Sequence, residues 1–118
     1  MLHLKECLKF KYIDSYMYTS NITVRLDQKK LEMAAEMLKA IAHPLRIAIV
    51  DLLQNGNRLT VTEIFAQLNI GQAVASHHLR ILKDKGVLES VREGKNIYYS
   101  LKHERLSQIV DCIEKCQL

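Results

Sequence analysis

The stretch ASHHLRILKDKGVL, residues 75–88, decides the fold of this 118-residue chain. Its apolar residues recur three or four positions apart, as on one face of an amphipathic helix, and Gly86 ends the pattern. Two adjacent histidines, His77 and His78, stand near the start of this rhythm. They could be metal ligands, catalytic bases, nucleic-acid contacts or packing residues, and the choice among these roles bears directly on function.

The helical wheel separates the two histidines. At about 100° per residue, His78 lies on the apolar side with Leu79, whereas His77 lies on the polar side with Arg80. We therefore expect His78 to pack at the edge of the core and His77 to face outward. The outward side as a whole comprises Ala73, Ser76, His77, Arg80 and Lys83.

Spacing and chemistry argue against two of the four roles. Metal ligands on one helix need partners three or four residues apart, whereas neighbours such as His77 and His78 diverge. No motif nearby supplies an activated serine or thiol that a histidine base could serve. The outward side is then either simply solvated or able to bond base edges and phosphates. The basic segment that follows, with Arg92 and Lys95, favours a DNA contact.

The segment before this helix predicts a second, shorter helix. In LTVTEIFAQL, Thr60 and Glu63 have the spacing of a capping box, so we expect a helix over residues 61–68. The turn NIG separates it from the longer helix, which runs from residue 72 to about residue 85. Two helices joined by so short a turn, the second of them basic, indicate a helix-turn-helix.

Helical spacing also precedes this unit. Apolar residues recur from residue 31 to about 42, and Pro44 fits the first turn of a helix that reaches about residue 54. After Gly86, VLESVR and NIYYSL flank EGK as two strands of a hairpin, and a last helix is expected over about 102–116. The predicted fold is mainly α with a small β-hairpin: a winged helix-turn-helix with an extra helix at each end.

Composition limits the class of protein. Residues 26–118 form one predicted domain, and residues 1–25 are an arm or appended helix without a clear period. The net charge of +4 fits a polyanionic partner. Apolar runs are too short to span a membrane, and three cysteines, an odd number, argue against a secreted disulfide framework. We therefore expect a cytoplasmic protein.

Three blocks of the sequence together resemble the ArsR/SmtB family of winged-helix transcriptional repressors. They are AHPLRIAIVDLL, GQAVASHHLRILKDKGVL and REGKNIYYSL, in the family's order, and the likeness covers about residues 31–116. The resemblance implies a homodimer in which the first and last helices form the interface. It also implies a recognition helix in the major groove, a wing near the DNA backbone, and repression that an inducer relieves.

The residues expected to contact double-stranded DNA lie on the recognition helix and the wing. They are Gln72, Ser76, His77, Arg80, Lys83, Arg92 and Lys95. Many relatives begin the recognition helix with Ser-Gln and a small polar residue, whereas this chain has Gly71-Gln72-Ala73. A helix cap and a candidate base contact are therefore missing, and the family's operator sequence does not transfer to this chain.

The expected dimer interface combines the first and last helices. The apolar stripe on the last helix is larger than a lone domain of this size leaves exposed, and the first helix of a partner would bury it. The expected interface residues are Leu31, Leu38, Leu106, Ile109, Ile113 and Cys116. Met33 and Met37, which widen the stripe of the first helix, are expected to be packing residues.

No sensor site typical of the family is intact in this sequence. Thr60-Val61-Thr62 stands where relatives that sense soft metals have Cys-x-Cys, and a hydroxyl is a poor substitute for a thiolate. Zinc-type relatives have a ligand where this chain has Arg105. Sulfide-responsive relatives use a cysteine in the second helix, where this chain has Asp51 and no cysteine.

Cys112 and Cys116 remain as sensor candidates because their spacing places them on one face of the last helix. They either pack at the dimer seam as small hydrophobic residues or form a divergent metal or redox site with a third group, His103 of the partner subunit or Cys7 of the arm. The packing interpretation is preferred, so no metal ion or thiol redox signal is assigned.

The expected function is a sequence-specific, homodimeric DNA-binding repressor released by an inducer of unknown identity. The alternative is a protein-interaction module that kept the winged fold without specific DNA readout, which Gly71 and Ala73 allow. Arg80, Lys83 and Arg92 argue against that alternative, because an acidic face would have favoured it. An enzyme is not expected, because no catalytic constellation is visible.

Overall fold

A computed structural model describes residues 24–117. Residues 33–117 form one compact unit, and residues 24–32 belong to a second. The elements in chain order are α1 (Gln28–Ile41), α2 (Pro44–Leu52), β1 (Leu59–Thr60), α3 (Val61–Leu68), α4 (Gln72–Asp84), β2 (Leu88–Glu93), β3 (Asn96–Leu101), a 3-10 turn (Glu104–Leu106) and α5 (Ser107–Lys115). Residues 1–23 of the predicted arm (residues 1–25), with Cys7, lie outside the described residues.

In residues 24–32, Asp27 fixes the start of α1. The Lys30 N–H donates to Asp27 Oδ1 at 2.8 Å, and the Leu31 N–H donates to the Asp27 carbonyl at 3.0 Å. Aspartate is among the residues that best satisfy the free N–H groups of a helix's first turn. The helix therefore begins where a side-chain acceptor becomes available.

Caps also set the starts of α2 and α3. His43 is extended and its Nδ1 accepts the Leu45 N–H at 3.1 Å, so a histidine caps α2 just before Pro44. At α3 the predicted capping box is confirmed: Glu63 N–H donates to Thr60 Oγ1 at 3.2 Å, and Thr60 N–H donates to Glu63 Oε1 at 3.0 Å. Both starts follow from local chemistry that the sequence displays.

The core lies where α2, α3, α4 and the base of the hairpin meet the end of α1. Its apolar side chains interlock with almost no exposure, and each buried Val, Leu or Ile contributes about 1.5–3 kcal/mol relative to an exposed position. They are Ala40, Ile41, Ile49, Val50, Leu53, Ile64, Ala75, Leu79, Leu82, Val87, Leu88 and Leu101. This packing fixes α4 by its inner face and leaves its outer face free.

The sheet has three strands in the order β1-β3-β2, one more than the predicted hairpin. Leu88 pairs with Leu101 at the base of the hairpin, and β1 adds Leu59 opposite Tyr99. A strand of two residues is too short to show a period of two, which is why the sequence did not reveal β1. The predicted winged helix-turn-helix is otherwise confirmed.

The last helix begins later than predicted. The sequence favoured a start at about residue 102, but β3 runs to Leu101 and a 3-10 turn precedes α5, which starts at Ser107. The Ser107 hydroxyl donates to the Glu104 carbonyl at 2.8 Å and so supports that turn. At the other end Cys116 has left the helix and is extended.

Candidate nucleic-acid interface

The outer face of α4 is polar and exposed, as the wheel predicted. Ala75, His78, Leu79 and Leu82 are buried beneath it. The exposed side chains include every predicted DNA contact on the helix: Gln72, Ser76, His77, Arg80 and Lys83. The separation of His77 from His78 is therefore confirmed, and the structure brings the predicted contacts together on one surface.

An exposed valine was not among the predicted contacts. Val74 lies in the first turn of α4 with 43% of its surface exposed, next to the exposed Ala73. Its place off the apolar stripe was the available signal, because an apolar side chain there has no core to enter. Methyl groups of this kind can contact the methyl group of thymine in the major groove.

The start of α4 adds backbone donors to this face. Gly71 occupies the N-cap and has no side chain with which to accept a hydrogen bond, so the predicted lack of a cap is confirmed. The first N–H groups of any helix have no partner within the helix and suit an anion such as phosphate. At this helix those groups belong to residues 71–74, which include the predicted contact Gln72, because the Ala75 N–H already donates to the Gly71 carbonyl at 3.0 Å.

Arg92 lies near the end of β2 and Lys95 lies in the turn at the tip of the wing, and both are exposed. Glu93 pairs with Asn96 across the strands, and Gly94 has a φ of 63° that suits the tight turn. The tip is therefore a tight turn that carries two of the predicted DNA contacts.

An arginine outside the wing neutralises the acid at its tip. Arg58 Nη2 lies 2.6 Å from Glu93 Oε1, and its guanidinium stands 5.1 Å from the centre of the Tyr98 ring. The hydrogen bond to Glu93, and then the carboxylate charge, raise the pKa of Arg58. The contact joins positions 35 residues apart, so no local pattern could have predicted it.

Behind the outer face, His78 is bound to an arginine of α2. Arg46 Nε donates to His78 Nδ1 at 3.1 Å, and Arg46 Nη1 donates to the Ala40 carbonyl at 2.9 Å. The ring of His43 lies 4.5 Å from that of His78. Burial, followed by the charges of His43, Arg46 and His77, lowers the pKa of His78.

The sensor candidates do not gather into a site. Cys112 and Cys116 are both exposed and border a shallow groove with Asp111, and His103 is exposed ahead of the 3-10 turn. Within residues 24–117, no group of three or more His, Cys, Asp or Glu side chains could hold a metal ion. Cys112 and Cys116 are therefore available to solvent or to a second chain.

The predicted dimer residues differ in their surroundings. Leu38 is 55% exposed on α1, and Met33 nearby is 58% exposed. Leu106 and Ile109 instead pack partly against the core of their own chain, and Ile113 is half-buried. The stripe of α5 is thus less free than the sequence suggested, because α5 packs against α2.

A groove of about 680 Å³ lies between the sheet and the start of α5. Its lining includes the cations Arg58, Lys102 and Arg105 and the carboxylates Glu89 and Glu104. Charges of both signs alternate here, unlike on the outer face of α4. The groove is therefore a poor track for a DNA backbone.

No helix in the part of the chain that the structure describes is long and apolar enough to cross a membrane.

Known proteins share this arrangement. The sequence model described as bacterial regulatory protein, arsR family, matches residues 43–90. The chain is 37% identical to the transcriptional repressor PagR of Bacillus anthracis over 100 residues. This alignment covers 81% of this chain and 100% of PagR.

Solved structures agree with the sequence match. The crystal structure of PagR superposes with a TM-score of 0.68 at 37% identity, over 74% of this chain and 99% of that chain. The homodimeric winged helix-turn-helix DNA-binding domain of Mb0332 from Mycobacterium bovis superposes with a TM-score of 0.64 at 29% identity, over 79% and 87%. The chain therefore belongs to the ArsR family of DNA-binding transcriptional regulators and is not an enzyme.

Proposed function

We propose that this regulator is a homodimeric repressor that binds operator DNA through α4 and the wing and leaves it when an inducer binds. The observation that carries the proposal is the exposed polar and basic face of α4 above a fully packed inner face. A recognition surface needs both properties, because contacts that read bases must be held in place by a rigid core. Such a regulator acts in the cytoplasm.

The proposed contacts divide by their role. Gln72, Ser76, His77 and Arg80 contact base edges and nearby phosphates. The other proposed contacts lie towards the ends of the surface and neutralise phosphates: Lys83 near the end of α4, and Arg92 and Lys95 on the wing. Support comes from the exposure of all seven side chains.

The decisive experiment measures binding to DNA from the chain's own promoter region at several salt concentrations. Affinity should fall steeply as salt rises, because each neutralised phosphate releases counterions. A matched pair of variants locates the surface: Lys83→Ala should weaken binding and flatten the salt slope, whereas Lys102→Ala, in the groove that Glu89 and Glu104 also line, should do neither. Absent or salt-insensitive binding would overturn the proposal.

The proposed dimer interface comprises Leu31, Leu38, Leu106, Ile109, Ile113 and Cys116. The exposure of Leu38 and Met33 supports it, since large apolar side chains on one helix suit a partner surface. The homodimeric state of the Mb0332 domain supports it as well.

For Cys112 and Cys116 we infer packing at this dimer seam rather than a sensor. Their exposure in the single chain is what a residue buried by a partner would show. DNA affinity should then be unchanged by Zn(II), Cu(I) or a mild oxidant, in the parent protein and in a Cys112→Ser/Cys116→Ser variant alike. An effect that the double substitution removes would instead assign these cysteines, with His103, to a metal or redox site.

The second candidate function is a protein-interaction module. The exposed pair Ala73 and Val74 favours it, because an apolar edge at the start of α4 could also bind a protein. Val74→Asp distinguishes the two: DNA binding should weaken if Val74 faces bases. It should be unaffected if that edge serves only a protein partner.

A further inference from the structure

We propose that Arg46 and His78 form a positioning pair that fixes α4 against the end of α1, and that acid releases operator DNA by breaking this pair. The inference rests on the proposed function, since it concerns the geometry with which α4 is presented to DNA. Neither residue is a proposed DNA contact, because Arg46 belongs to α2 and His78 is 6% exposed.

The guanidinium of Arg46 joins three helices. From α2 it donates Nε to His78 of α4 and Nη1 to the carbonyl of Ala40. Ala40 lies among the last four residues of α1, whose carbonyls lack the usual partner further along a helix. One side chain therefore satisfies the end of α1 and holds the middle of α4. Only arginine offers two such donors in a fixed planar geometry.

The contact requires a neutral His78. Its Nδ1 accepts from Arg46, so the ring proton must be on Nε2. A second proton on Nδ1 would set two donors against each other beside a guanidinium that is already charged. The titratable and charged groups around the ring are His43 and Arg46 from the α2 segment and His77 on α4 itself. All three are cationic or can become so, and none would stabilise the added charge.

Breaking the pair would act on both proposed interfaces. His78 lies between His77 and Arg80 in α4, so movement of its backbone shifts two proposed DNA contacts. Ala40 lies in the last turn of the helix that carries Leu38, a proposed dimer residue. A homodimer must present two recognition helices about one turn of DNA apart, roughly 34–36 Å, and a change of angle alters that spacing.

A pH profile tests the proposal directly. The comparison uses a His77→Gln background, because His77 itself would gain charge on the DNA face in acid. From about pH 8 to about pH 5.5, His77→Gln should lose on the order of tenfold more operator affinity than His77→Gln/His78→Gln. Glutamine keeps a neutral acceptor for Arg46 at every pH. Circular dichroism at each pH verifies that both proteins are folded.

A matched control breaks a different contact between α1 and the C-terminal end of α4. Lys85 Nζ lies 3.1 Å from Glu36 Oε2, and both side chains are about half exposed. In the same background, Glu36→Gln should leave the pH slope as it is. If it flattened the slope as His78→Gln does, the effect would belong to the general docking of α1 and not to the Arg46–His78 pair.

Arginine variants separate positioning from stability. Arg46→Lys retains the charge but cannot donate to both His78 and the Ala40 carbonyl. The variant protein should therefore bind operators with altered half-site spacing nearly as well as it binds the native operator. A merely structural role would lower the melting temperature and leave the spacing preference intact. That result, or equal pH slopes in the two folded histidine variants, would overturn the proposal.

If no DNA binds at any pH, the proposed function fails. Hydrogen exchange of the α4 amides then still tests whether protonation breaks the Arg46–His78 pair. Protection should fall in acid in His77→Gln and persist in His77→Gln/His78→Gln. Equal loss in both would overturn the pair independently of DNA.

Discussion

Among single residues, Arg80 should be the strongest test of sequence readout. It lies near the middle of the exposed face of α4, where a guanidinium can bond a guanine at two points. Arg80→Ala should cost about 1–3 kcal/mol of operator binding and much less on unrelated DNA. Fluorescence anisotropy with both DNAs measures the difference. An equal loss on the two would show that Arg80 contacts only phosphate.

Arg92 should behave differently because it lies on the wing. Arg92→Ala should weaken all DNA to a similar degree and reduce the salt slope by about one. Binding affinity for operator DNA and for unrelated DNA, measured at several salt concentrations, tests this prediction. A variant that changed only discrimination between sequences would mean that the wing reads bases.

The lowered pKa of His78 also predicts how the free energy of unfolding depends on pH. Burial, and then the charges of His43, Arg46 and His77, hold the pKa of His78 below its ordinary value in the folded chain. The unfolded chain takes up the proton first, so the stability that His78 contributes is complete above about pH 6.5 and is lost as pH falls through the folded-state pKa. Urea unfolding of wild type and His78→Gln should diverge in acid, with wild type losing more. Parallel curves would contradict this.

At the level of elements, α3 depends on its capping box. Thr60→Ala removes the acceptor of the Glu63 N–H and should lower the free energy of unfolding by about 1 kcal/mol. Thr60→Ser, which keeps the hydroxyl, serves as the control and should retain most of that stability. Urea denaturation of wild type, Thr60→Ala and Thr60→Ser measures the free energy of unfolding of each protein. If serine and alanine were equally damaging, the threonine methyl and not the cap would matter.

The elements that the sequence predicted are those that local chemistry determines. The start of α3 follows from Thr60 and Glu63, three positions apart, and Gly86 with a φ of 80° lies just beyond α4. The exposed face of α4 followed from the same local period. Each of these signals lies within one or two turns of chain.

What the sequence did not reveal depends on distant partners. β1 forms because Leu59 pairs with Tyr99 of β3, and the charge at the tip of the wing is neutralised because Arg58 forms an ion pair with Glu93. His78 could be placed at the core edge, but its partner Arg46 lies 32 residues away. The late start of α5 has the same origin, since β3 pairing up to Leu101 prevents helix formation there.

At the scale of the whole molecule, the proposed dimer should be sensitive to charge on α1. Leu38→Asp places a carboxylate on an exposed apolar position and should convert dimers to monomers at micromolar concentration. Operator binding should weaken with it, because one recognition helix cannot engage two half-sites. Sedimentation velocity measures the state. Gln67→Asp, an exposed change on α3, is the control and should leave a dimer; a monomeric parent protein would refute the interface.

The glycine that begins α4 has a thermodynamic consequence for the assembled complex. Gly71 gives the backbone at the start of the proposed recognition helix the greatest conformational freedom, and it cannot hold the first turn with a side chain. The free amides of that turn then gain hydrogen-bond acceptors, and lose residual backbone freedom, when DNA binds. This ordering should make the association entropy less favourable, and the enthalpy more favourable, than counterion release alone would give. The chain would thereby distinguish operators by how well each one provides acceptors for the amides of the first turn of α4.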